Sequence, residues 1–198
     1  MAELIDVRER QQLCDLLAGL GPDAPTLCEG WTAADLAAHL VLREHLRPST
    51  ASRLAAEKRR GWTAQVARLR EGPPPIWRVP GLRTLANGTE FFLHHEDVRR
   101  ANGLGPRDAP ADLDRLAWRV SRLLGLRLAR RIRPFGLDLV RPGGDRRSFT
   151  PRAVARATLS GPATELVLYL SGRRSAARVT VGGDARAAAA VQRADARL

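Results

Sequence analysis

Apolar residues recur at helical spacing along the first two thirds of the chain. Leu4, Ile5, Leu13, Leu16, Leu17 and Leu20 line one side of a helix that stops at Gly21-Pro22. A loop with Pro25 and Cys28 follows, and Thr32 with Asp35 three residues on makes a loose capping box. The helix it opens, 32–47, is apolar nearly all round (Leu36, Ala37, Ala38, Leu40, Val41, Leu42), which places it in the middle of a bundle. Pro48 suits the first position of the next helix, which runs to Arg70 with an interruption at Gly61. The Gly72–Pro75 run is a break. Further helices are predicted over 81–101, stopping at Asn102-Gly103, and over 112–131.

The period changes after Pro134. Residues 136–141 alternate as a strand, 142–145 form a turn, and 147–150 return. Residues 154–159 and 177–181 are further strands. Residues 163–170 form a short helix, and Asp184 caps a final alanine-rich one. The pattern predicts a helical bundle over 1–133 and a small α+β domain over 134–198.

Composition narrows the function classes. A chain of 198 residues with 44% hydrophobic content has enough material for a core without disulfide staples. The two cysteines, Cys14 and Cys28, make no disulfide framework, and a reducing cytoplasm is the expected setting. No apolar run suits a membrane span, and the early acids of the first residues do not read as a secretion signal. The net charge of +12 points first to nucleic acid. All but one of the 33 basic residues are arginine, however, Lys58 being the exception, and they are dispersed among only 5% aromatics. That distribution fits a general bias toward anionic partners better than a nucleic-acid surface.

The chemistry-bearing residues are few. Of the four histidines, His94 lies four residues after Glu90, on the same helical face, and Asp97 extends that face. His39 sits on the apolar central helix. Facing helices of a bundle can bring Glu90, His94 and His39 to one point. Two imidazoles and one carboxylate suit zinc, with nickel and iron as alternatives, and three ligands leave a position open for water or substrate. Asp97 is placed to accept the second imidazole N–H of a ligating His94. The plainer reading of the same residues is a Glu90–His94 surface pair and a hydrogen-bonded core histidine at 39. His95 reads as surface or interhelical packing, His45 as a helix-end residue, and Cys28 as a small buried side chain near the pocket. Trp31, Trp62 and the Phe91/Phe92 pair read as core anchors.

The stretch from Cys28 to Leu40 resembles the first motif of the mycothiol-dependent maleylpyruvate isomerase N-terminal domain. Glu90 to Asp97, read as Glu-x-x-x-His-x-x-Asp, resembles its later motif. The fuller stretch Asn87–Ala101 resembles an uncharacterised metal-binding subgroup of the same DinB-like superfamily more closely than the isomerase. Gly161 to Arg173 is similar to the Gly-Pro-Ala and Gly-Arg signature of its second domain.

The resemblance implies a DinB-like four-helix bundle followed by a small α+β domain, with His39, Glu90 and His94 as metal ligands. It implies a cofactor thiol, mycothiol or a related small thiol, whose metal-favoured thiolate attacks a small electrophile in an isomerisation or S-transfer. Arg173 is the candidate for a substrate carboxylate, given the planar fork of arginine. The expected partners are therefore a small-molecule thiol and a small anionic or electrophilic substrate, with neither nucleic acid nor membrane. A metal-binding sensor or storage module without turnover is the alternative, and a basic nucleic-acid-binding protein ranks third.

Overall fold

The strongest local signal is a reciprocal hydrogen bond at Thr32. Its hydroxyl accepts from the Asp35 N–H at 3.4 Å, and the Asp35 carboxylate accepts from the Thr32 N–H at 3.1 Å. This capping box starts α2 (Ala33–Glu44) one residue after Thr32, as the sequence predicts. The computed structural model describes residues 3–73 and 82–194, with side chains from 86 onward in the second stretch. The expected break at Pro74-Pro75 and the start of the next helix at Gly81 lie outside those residues.

The chain divides into two compact units, Met1–Arg107 and Asp108–Leu198. The first holds five helices among the described residues: α1 (Ile5–Leu20), α2, α3 (Ala51–Lys58), α4 (Trp62–Glu71) and α5 (Leu82–Ala101). Helix α1 packs on α4 and α5, and α2 packs on α3 and α4. Leu13, Leu17, Leu36, Leu40, Leu69 and Phe91 are fully buried and form the centre of the core. Trp31 and Trp62 are partly buried against it. The interruption at Gly61 separates α3 from α4 through a left-handed φ of 87°, which glycine adopts without a Cβ penalty. Pro48 does not open α3. Thr50, just before α3, is extended and its N–H donates to the Pro48 carbonyl at 3.0 Å, so Pro48 and Ser49 form a connector instead.

A buried ionic cluster ties α1 to α5 and to the chain beyond it. Glu9 receives both Nη atoms of Arg107, whose Nε donates to Glu96 at 2.8 Å. His95 is buried and bonds Glu9 at 3.3 Å, so of its two expected roles it takes the interhelical one. His45 caps the end of α2, with Nδ1 donating to the Val41 carbonyl at 2.8 Å.

The second unit contains α6 (Ala111–Arg131), β1 (Gly136–Val140), β2 (Arg146–Phe149), β3 (Arg156–Ser160), α7 (Ala163–Leu170), β4 (Thr180–Gly183) and α8 (Ala185–Arg193). The strands make one mixed sheet in the order β2-β1-β3-β4, with β1 and β3 parallel and both outer pairs antiparallel. Asp184 caps α8 by accepting from the Arg186 and Ala187 N–H groups at 3.0 Å. The expected boundary after residue 133 and the observed division at Arg107/Asp108 differ by α6, which packs along α7 and over β1 and β2. No helix among the described residues is long and apolar enough to cross a membrane.

Gly125 shows how closely α6 approaches the sheet. A Cβ built there would lie 2.8 Å from the Phe149 ring and 3.0 Å from Leu139 Cδ1. Alanine would gain up to about 1 kcal/mol of helix propensity. Overpacking of this kind typically costs about 1–3 kcal/mol, so packing wins. Gly125→Ala should therefore lower the unfolding midpoint of this unit in a denaturant titration; an increase would show that α6 can move away from the sheet freely.

Candidate metal centre

Three side chains from two helices meet around one oxygen in the N-terminal unit. Glu90 Oε1 lies 3.2 Å from His94 Nε2 and 3.5 Å from His39 Nε2. Helix α5 supplies Glu90 and His94 one turn apart, and α2 supplies His39 from its apolar stretch. The two imidazoles meet edge to face, with centroids 5.6 Å apart.

Each ring is held from its far side. His94 Nδ1 bonds Asp97 Oδ2 at 2.9 Å, and Asp97 is fully buried. His39 Nδ1 bonds Ser49 Oγ at 2.8 Å. Donation from each Nδ1 to these partners leaves Nε2, the nitrogen that faces the Glu90 carboxylate, as the atom available to an ion. This is the outer-partner arrangement by which metal sites orient ligating histidines.

The donor set fits a divalent ion. One atom from each of His39, Glu90 and His94 falls within 4.8 Å of the others. Ligand bonds of about 2.0–2.1 Å at tetrahedral angles give donor separations of about 3.3 Å, close to the two separations above. The third separation, between the two histidine nitrogens, is also within 4.8 Å.

The protonation preferences show the same demand for positive charge. Burial opposes the charge of Glu90, yet hydrogen bonds from His39 and His94 and the nearby Arg43 hold its pKa far below the usual carboxylate range. Burial likewise opposes a charged His94, but hydrogen bonds to Asp97, Cys28 and Glu90 raise its pKa well above the ordinary value. Without a metal ion, the proton on His94 supplies a cation between the fully buried Asp97 and the partly buried Glu90.

The sequence spacing anticipated His39, Glu90, His94 and Asp97, and the structure brings these four together. It also adds residues that spacing missed. Arg43, one turn after His39, places Nε 3.3 Å from Glu90 Oε1 and donates to Asn87 Oδ1 at 2.8 Å. Its i,i+4 relation to His39 was the available signal. Ser49 had none, because it sits in a connector. Cys28, expected only near the pocket, contacts Asp97 and His94 directly. Arg173 belongs to the other unit, where its Nη1 donates to the Ser171 carbonyl at 2.8 Å.

No family model and no curated protein sequence matches the chain. Solved structures do match. A histidine-to-alanine mutant of the mycothiol-dependent maleylpyruvate isomerase superposes with a TM-score of 0.55 at 18% identity, covering 90% of both chains. A second structure of that isomerase gives a TM-score of 0.50 at 19% identity, again over 90% of each. The chain has the fold of this isomerase. The isomerase fold thus extends over both units, in keeping with the resemblance read from the motifs at both ends of the sequence.

Metal affinity should depend on pH with a definite sign. A proton on His94 competes with the ion, and its pKa lies well above 6.5. The affinity of these three side chains for added zinc should therefore rise as pH increases through neutrality, because ligation needs the neutral imidazole. Competition titrations across that range provide the check. An affinity already level below neutrality would contradict a raised His94 pKa.

Proposed function

We propose that His39, Glu90 and His94 bind a divalent metal ion, zinc in the first place, and that the protein is a thiol-dependent enzyme acting on a small electrophile by isomerisation or S-transfer. The observation that carries this reading is the convergence of two far-side-anchored imidazoles on one partly buried carboxylate. The shared fold with a protein described as a mycothiol-dependent maleylpyruvate isomerase supports the thiol, mycothiol or a similar small thiol. The proposal takes the first unit as a DinB-like four-helix bundle, supported by the packing of α1 on α4 and α5 and of α2 on α4. It also takes the cytoplasm as the setting.

A bound divalent ion would favour the thiolate over the thiol, which is the nucleophilic form. The residues around it have separate tasks. Asp97 and Ser49 orient the two rings. Arg43 offsets the charge of Glu90 at the rim, where it is partly exposed and can also meet an anionic group. Arg173 stands as a separate candidate for a substrate carboxylate, on the chemistry of its planar fork alone.

The test has two steps. Protein purified without affinity-tag metals should carry about one equivalent of a divalent ion, and His94→Ala should lose it. Calorimetric titration with mycothiol should then show saturable binding in the metal-loaded protein and none after chelation. Equal metal content in parent and variant would overturn the ligand set. Metal without thiol binding would leave the metal-binding module without turnover as the better reading.

A further inference from the structure

The loop between α1 and α2 touches both candidate histidines. It is closed on itself by a Pro25–Thr32 bridge and by the Ala33 N–H donating to the Ala24 carbonyl at 2.8 Å. Inside it, Thr26 Oγ1 accepts from the Cys28 N–H at 3.1 Å and donates to the Trp31 carbonyl at 2.9 Å. Two bonds fasten the loop to α5 and the residue after it: the Leu27 N–H donates to the Asp97 carbonyl at 3.2 Å, and Asn102 Nδ2 to the Pro25 carbonyl at 3.0 Å. Cys28 is thereby held with Sγ 3.3 Å from Asp97 Oδ2 and 3.9 Å from His94 Nδ1. Three residues later, the Trp31 ring lies against His39, with centroids 5.2 Å apart and planes inclined at 55°.

We propose that Cys28 is a positioning residue for the metal centre, acting through Asp97 on His94; this rests on the reading of His39, Glu90 and His94 as ligands. Asp97 Oδ2 is the acceptor for both the Cys28 S–H and the His94 N–H. A fully buried carboxylate oxygen that serves two donors has its direction set by both. The thiol is a weak donor, so it adds little to stability. Its effect is on orientation: it keeps the oxygen aimed at His94 Nδ1 and so keeps Nε2 free toward Glu90. Outer partners of ligating histidines commonly change metal affinity about 10–100-fold when removed.

A cysteine in this position could instead be a small apolar filler. The two roles differ in what rescues them. A filler replaced by alanine loses stability, and serine, being polar, does no better. A positioning donor replaced by alanine loses metal affinity, and serine restores a donor to Asp97. Cys14 is the internal comparison. It is fully buried in the core, its thiol pushed up to about 12 by burial, and its truncation should cost stability without touching the site.

The experiment measures zinc affinity by competition with a chromophoric chelator, alongside ¹⁵N spectra of the histidine rings in metal-free protein. Cys28→Ala should weaken zinc binding about ten-fold and shift the His94 ring-nitrogen resonances, while Cys28→Ser returns both toward the parent. Cys14→Ala should lower the melting temperature and leave both readouts unchanged. Parent-like affinity and unshifted His94 resonances in Cys28→Ala would overturn the proposal, as would a serine variant indistinguishable from alanine. Should the parent itself bind no zinc, the ligand reading falls, and the His94 resonances alone decide whether Cys28 governs the Asp97–His94 pair.

Discussion

A buried carboxylate must be answered by cations or hydrogen-bond donors, and α5 carries three carboxylates that are buried or largely so: Glu90, Glu96 and Asp97. Each draws a different part of the N-terminal unit toward the helix. Glu96 takes Arg100 from the next turn and Arg107 from the chain beyond. Asp97 takes His94 and the Cys28 loop. Glu90 takes His39 and Arg43 from α2. Leaving any of them unanswered would cost several kcal/mol in order of magnitude. Helix α5 is thus both a core helix, through Phe91 and Val98, and the electrostatic organiser of its unit.

The arginine excess takes on a structural meaning in this light. Arg10 pairs with Glu44 at 2.7 Å, Arg107 with Glu9 and Glu96, and Arg156 with Asp138 at 2.7 Å, in each case against a buried acid. Arg156 also donates to the Thr150 and Phe149 carbonyls, so it braces the sheet. Arginine suits these places because its planar fork serves two acceptors at once. A composition that first suggests a polyanion surface supplies, at these positions, the counter-charges of the interior.

Much of the fold and half of the site were legible along the chain. The capping box at Thr32, the break at Gly61 and the cap at Asp184 are local chemistry, decided within a few residues. Glu90, His94 and Asp97 are legible because helical spacing alone puts them on one face. Arg43, Ser49 and Cys28 were not assigned to the site, because their partners lie 10 to 69 residues away and periodicity carries no such information. Where the compact units divide was not legible for a similar reason. Helix α6 has the same local pattern as the helices of the first unit, and only its packing on α7 and the sheet assigns it to the second unit.

The sequence by itself determined the elements and the short-range pairings, because capping, turn chemistry and helical periodicity act over one or two turns. The tertiary structure alone decided which nitrogen of each histidine faces Glu90. That choice depends on the far-side partners Asp97 and Ser49, and on a loop stitched across to α5. Ring orientation is set by contacts between elements, and the chemistry of the site follows from it.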